Sequence, residues 1–132
     1  MPISARRAGG WTLIELTIVI ALISVLAGLA MAGYRTAVTR SREAVLKEDL
    51  FRMRDAIDQF YADREAYPAA LDELVVHGYV RAIPVDPFTS SSATWQTVPA
   101  PVDSADLLAT GIYDVRSGSD RTALDGSQYA EW

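Results

Sequence analysis

One carboxylate in this sequence has no obvious partner. Glu15 lies near the start of WTLIELTIVIALISVLAGLAMAG, residues 11–33, and is the single charge in those 23 residues. Placing an isolated charge in a membrane segment costs on the order of 2.5–3.5 kcal/mol on insertion scales, so such a residue marks a place where something else supplies a partner. The remaining titratable groups point away from catalysis. There is no cysteine and one histidine, His77, which excludes thiol nucleophiles and thiolate metal sites and leaves no second imidazole for a metal. His77 reads as a helix-end residue, where the helix dipole favours it. No serine is paired with a base by any recognisable pattern, and no glycine-rich phosphate loop is present, so the chain reads as a non-enzyme.

The elements that hold Glu15 follow from hydropathy and length. As a helix, residues 11–33 would reach roughly 35 Å at about 1.5 Å per residue, enough to cross a bilayer. Arg6 and Arg7 precede the run and fit a cytoplasmic side, while Arg35, Arg40 and Arg42 beyond it leave the charge bias ambiguous. With 132 residues in total, one modest domain remains outside the membrane. A net charge of −5 and a sequence pI near 4.7 argue against nucleic acid as a partner. Three readings compete for the N-terminal run. A secretory signal peptide would use Ala30-Met31-Ala32 as its cleavage site, just before Gly33. A plain anchor would span but gives Glu15 no purpose.

The third reading does. GGWTLIEL, followed directly by an apolar helix, resembles the class III signal of type IV pilins and of the pseudopilins of type II secretion. The resemblance implies that a prepilin peptidase cuts between Gly10 and Trp11 on the cytoplasmic side and methylates the new amino terminus at Trp11. Residues 1–10 would be the leader, 11–33 the transmembrane and assembly helix, and 34–132 a periplasmic domain that includes the second half of the helix. Glu15 becomes the fifth mature residue, where the family carries a glutamate that pairs with the terminal amine of a neighbouring subunit. Trp11 replaces the usual phenylalanine, and Ala32-Gly33 stands where a helix-kinking proline is frequent.

Beyond Gly33 the pattern turns amphipathic. Leu46, Leu50, Met53, Ile57 and Phe60 recur at helical spacing and predict a stripe buried against the chain's own domain. Arg42, Glu43, Lys47, Asp55, Asp58 and Arg64 occupy the other side and predict a solvated or intersubunit face, with Glu43 and Lys47 a favourable i, i+4 pair. The helix is expected over about Leu13 to Arg64, ending before Tyr67-Pro68 because a residue preceding proline leaves the α region. A short helix follows over Ala69–Val76 with Gly78 as its stop, then a rigid connector around Asp86 between Pro84 and Pro87. Tyr67-Pro68, a leucine-bearing helix, Gly78-Tyr79 and Pro84-Val85-Asp86-Pro87-Phe88 resemble, in order and spacing, the corresponding segment of major pseudopilins.

Ser90–Ser92 reads as a turn, Thr94–Val98 as a strand, Pro99 to Asp106 as a loop, and Gly111–Arg116 as a second strand. Alternation puts Tyr113 and Val115 on one face of that strand and Ile112 and Asp114 on the other. In major pseudopilins the loop after such a strand binds calcium, which implies Asp120 and Asp125 as side-chain ligands and the backbone near Ser117 and Gly118 as carbonyl donors for Ca²⁺. The alternative is that Asp120 and Asp125-Gly126 are turn residues bonded to their own backbone. Tyr129 and Trp132 are expected to pin the tail by packing.

The reading as a whole is an α+β pilin fold, with a long N-terminal helix packed on a short helix and a small antiparallel sheet. The implied function is a major pseudopilin, anchored by a single pass in the bacterial inner membrane and polymerising with itself into the periplasmic pseudopilus of a type II secretion system. The prepilin peptidase, minor pseudopilins, the inner-membrane assembly platform and the membrane are the implied partners. A type IV pilus subunit, or a membrane-anchored or secreted ligand-binding module, are the alternatives.

Overall fold

The structure, a computed structural model, describes residues 9–101 and 110–132. The first eight residues of the expected leader, Arg6 and Arg7 among them, and most of the loop expected from Pro99 to Asp106 lie outside the described residues. Helix α1 spans Gly9–Arg64. It starts earlier than the expected Leu13, at Gly9, with no proline between the two to interrupt the ladder. It ends where expected. Glu65 takes a left-handed φ of +56° and its amide closes on the Tyr61 carbonyl at 2.8 Å, ahead of Tyr67-Pro68. The chain divides into two units, Met1–Val38 and Thr39–Trp132.

The unit Thr39–Trp132 is organised by the second half of α1. The predicted stripe, Leu46, Leu50, Met53, Ile57 and Phe60, is buried, and Ala56 joins it. Each large apolar side chain removed from water contributes about 1.5–3 kcal/mol, which makes this stripe the main source of stability for the unit. Against it pack Leu74, Trp95, Ile112, Val115, Ala123 and Tyr129. Helix α2, Asp72–Val76, is shorter than the predicted Ala69–Val76. The Glu73 carboxylate accepts from the Ala69 amide at 3.1 Å, so residues 69–71 lead into the helix rather than forming its first turn. Gly78, at φ +80°, ends it as expected.

Strands β1, Gln96–Pro99, and β2, Ile112–Arg116, pair antiparallel. Pro99 closes β1 instead of opening the loop, since a proline at the end of a strand forfeits no interior ladder bond. The faces of β2 differ from simple alternation. Ile112 and Val115 are both buried while Tyr113 is exposed. The register explains this. Val98 pairs with Asp114 and Pro99 with Ile112, so Tyr113 is an extra residue in a bulge that turns Ile112 to the side of Val115. Two strands alone are marginal, and this pair is tied to a side chain of α1 and to the backbone of the connector between the helices. Arg54 Nε donates to Asp114 Oδ1 at 2.6 Å and its Nη2 to the Val115 carbonyl at 3.0 Å, while the Ile112 amide donates to the Pro68 carbonyl at 2.8 Å. The architecture is α+β, as the sequence predicts.

Candidate functional site

In the unit that ends at Val38 the described residues form one helix with no core. Every side chain from Trp11 to Tyr34 is exposed, including Leu13, Ile14, Leu16, Ile18 and Leu22. The helix is long and apolar enough to cross a membrane. Three of its hydroxyls are satisfied within the helix. Thr17 Oγ1 donates to the Leu13 carbonyl and Ser24 Oγ to the Ile20 carbonyl, both at 2.8 Å, and Thr36 Oγ1 to the Ala32 carbonyl at 3.4 Å. Glu15 differs. Among the described residues no donor meets its carboxylate, and it shares a helical face with Trp11, Ile14, Ile18 and Val19. An ionised carboxylate so placed costs on the order of 2.5–3.5 kcal/mol in hydrocarbon. Gly10 lies within α1 with open space around it, one residue before Trp11, which is 76% exposed.

The four residues singled out after β2 take separate roles. Ser117 is fully buried, and its Oγ donates to Asp86 Oδ2 at 2.5 Å and accepts from the Ser119 amide at 3.1 Å. Gly118 is pressed against Thr94, whose carbonyl oxygen a Cβ would overlap. Asp120 is exposed. Asp125 Oδ1 accepts from the Ser127 amide at 2.9 Å and the Ser127 hydroxyl at 2.6 Å, and the hydroxyl first, then the amide, hold the Asp125 carboxyl below the usual carboxylate range. With Gly126 at φ +91°, this is a turn capped by its own aspartate. Calcium takes six to eight oxygens from carboxylates, carbonyls and water, and the carboxylates supply the charge that holds it. Among the described residues no three carboxylate or imidazole side chains gather into a group that could hold a metal. The side chains present fit a capped turn and a buried serine strap, and they do not fit a calcium shell.

Two participants were not singled out from the sequence. Glu43, expected on a solvated or intersubunit face beside Lys47, instead accepts within the chain from the Leu124 amide at 2.8 Å and the Tyr129 hydroxyl at 2.9 Å. Lys47 lies over the Trp132 ring, 4.3 Å from its centroid, so the tail claims both residues. Tyr129, 1% exposed and stacked on Phe88 at 3.9 Å, has its phenol pushed up to about 12 by burial and by the bond to Glu43. Asp86, expected in a rigid connector within the segment that resembles major pseudopilins, is fully buried. Its flanking prolines and the alternating Ser117 and Ser119 are the signal that could have found it. His77 sits at the end of α2, where its Nδ1 meets Arg64 Nη2 at 2.9 Å.

Known proteins are similar to this chain in sequence over most of its length. The chain is 32% identical to the fimbrial protein EcpC of Eikenella corrodens over 89% of this chain and 77% of that protein. It belongs to the type IV pilin-like family. This pilin-like chain is also 27% identical to the type II secretion system core protein G of Pseudomonas aeruginosa, over 92% of its own length and 96% of the relative. A second core protein G, from Aeromonas hydrophila, is 24% identical over 87% of the chain and 90% of the relative. No family model matches the chain, and no solved structure does.

Proposed function

We propose that this protein is a major pseudopilin, the repeating subunit of a periplasmic filament in a type II secretion system. The observation that carries the reading is likeness to two core proteins G over nearly the full length of both partners, together with a first half of α1, residues 11–34, whose apolar side chains are all exposed. A helix with no core of its own needs surroundings that cover it on every side, first lipid and then the same helix of other subunits.

In this reading the prepilin peptidase cleaves between Gly10 and Trp11 and methylates Trp11. Both residues lie in α1 of the uncleaved chain, and the poor helix propensity of Gly9-Gly10 makes local unwinding there inexpensive. The helix stays in the inner membrane with the domain Thr39–Trp132 on the periplasmic side. Glu15 then attracts the terminal amine of the next subunit, which satisfies two charges that lipid leaves stranded and fixes the axial register between copies. Minor pseudopilins and the inner-membrane assembly platform are the further partners. The pilus-subunit alternative is favoured by the likeness to EcpC, and the length of the filament separates the two, short and periplasmic for the first, surface-exposed for the second.

Glu15→Ala tests the assembly role. The variant is expected to insert into the membrane at wild-type level and to form no filaments. Normal filaments from Glu15→Ala would contradict the pairing.

A further inference from the structure

The tail after β2 has to be held in place, and the residues that do so are visible. Asp86 is fully buried, and donors converge on both of its carboxylate oxygens. Oδ1 accepts from the Phe88 amide at 2.8 Å and the Thr89 amide at 3.3 Å, and Oδ2 accepts from the Ser117 hydroxyl at 2.5 Å. The first two bonds close the turn after Pro87, while the third reaches across 31 positions of sequence to the end of β2. Ser117 Oγ, also fully buried, then accepts from the Ser119 amide, and Ser119 Oγ accepts from the Arg121 amide at 3.3 Å. The chain from Ser117 to Arg121 is thereby laid down by successive side-chain bonds that begin at one carboxylate. Every buried polar side-chain atom among the described residues has a partner, so the network is complete as it stands.

A divalent cation organises a loop by drawing carbonyl and carboxylate oxygens onto a positive centre. Asp86 does the converse, drawing N–H and O–H donors onto a negative one. The same strap cannot easily serve both. Ser117 Oγ already faces Asp86, and Asp125 already caps its own turn through Ser127. We infer that a carboxylate-centred latch, Asp86 with Ser117 and Ser119, closes the C-terminal loop in place of a calcium ion, so that this subunit folds to full stability without calcium.

The test uses the full chain in detergent and does not depend on which filament the protein builds. Thermal unfolding is followed in about 5 mM calcium chloride and in chelator, with a calorimetric titration by calcium chloride alongside; a ligand at roughly a hundred times its dissociation constant would raise Tm by on the order of 10 °C. The expected result is no saturable heat and a Tm equal in both conditions to within about 2 °C. Ser117→Ala, which strips Asp86 Oδ2 of its donor, and Asp86→Asn are each expected to lower Tm by about 5–15 °C, by the same amount with and without calcium. Should Asp86→Asn fail to fold, Ser117→Ala and the wild-type titration decide alone. Saturable calcium binding with a raised Tm, lost in Asp125→Asn, would overturn the inference, as would a Ser117→Ala protein that melts like wild type.

Discussion

Leu22 and Leu46 are the same residue type on the same helix, yet Leu22 is 59% exposed and Leu46 is fully buried. The contrast holds along each unit. From Trp11 to Tyr34 the apolar side chains face outward on all sides, whereas Leu46, Leu50, Met53, Ile57 and Phe60 face one way and meet a sheet, a short helix and the tail, with Phe51 left exposed on the other side. One stretch carries a partner requirement outside itself, and the other satisfies its requirement within the chain. The polar residues follow suit. Glu15 has no donor among the described residues, while Asp86 has three.

The comparison is sharpest for core truncations. Leu46→Ala is expected to destabilise the unit Thr39–Trp132 by about 2–5 kcal/mol in thermal or denaturant unfolding, from lost burial and the cavity left behind. Leu22→Ala is expected to leave that transition unchanged, because its side chain contributes nothing to this core. Comparable losses from both would break the distinction.

Glycines give a second contrast of intermediate size. Gly118→Ala places a methyl group onto the Thr94 carbonyl, which is backbone and must move, so a loss of about 1–3 kcal/mol is expected. Gly28→Ala meets nothing within 4 Å and removes a weak helix former, so the helical content of the detergent-solubilised chain should stay level or rise.

The smallest effect is confined to alkaline pH. The Tyr129 phenol is raised from 10.0 to about 12 in the folded chain, so its contribution is fully present below pH 10 and is lost as pH rises towards 12. In a phenolate absorbance titration it should ionise last and together with unfolding, while Tyr129→Phe, which keeps the stack on Phe88 but loses the bond to Glu43, should flatten this alkaline loss. An unchanged alkaline transition in Tyr129→Phe would remove Tyr129 as its cause.

What could be read from sequence follows the range of the physics involved. The end of α1, the buried stripe and the stop at Gly78 rest on neighbouring residues, and all three stand. The faces of β2 depended on a bulge opposite β1, which alternation within one strand cannot reveal. Glu43 looked solvated because its partners, Leu124 and Tyr129, lie more than eighty positions away. Asp86 looked like loop chemistry for the same reason, its hydroxyl donor lying beyond both strands. Glu15 was legible because its signal is a mismatch with its immediate neighbours.

The account turns on a helix that is retained and trimmed at its start rather than removed. The intact mass of the protein extracted from membranes of its native host tests this most directly. A chain running from Trp11 to Trp132 and carrying one added methyl group is the predicted result. A chain beginning at Gly33 would show that a signal peptide had been removed, and the filament reading would fall with it.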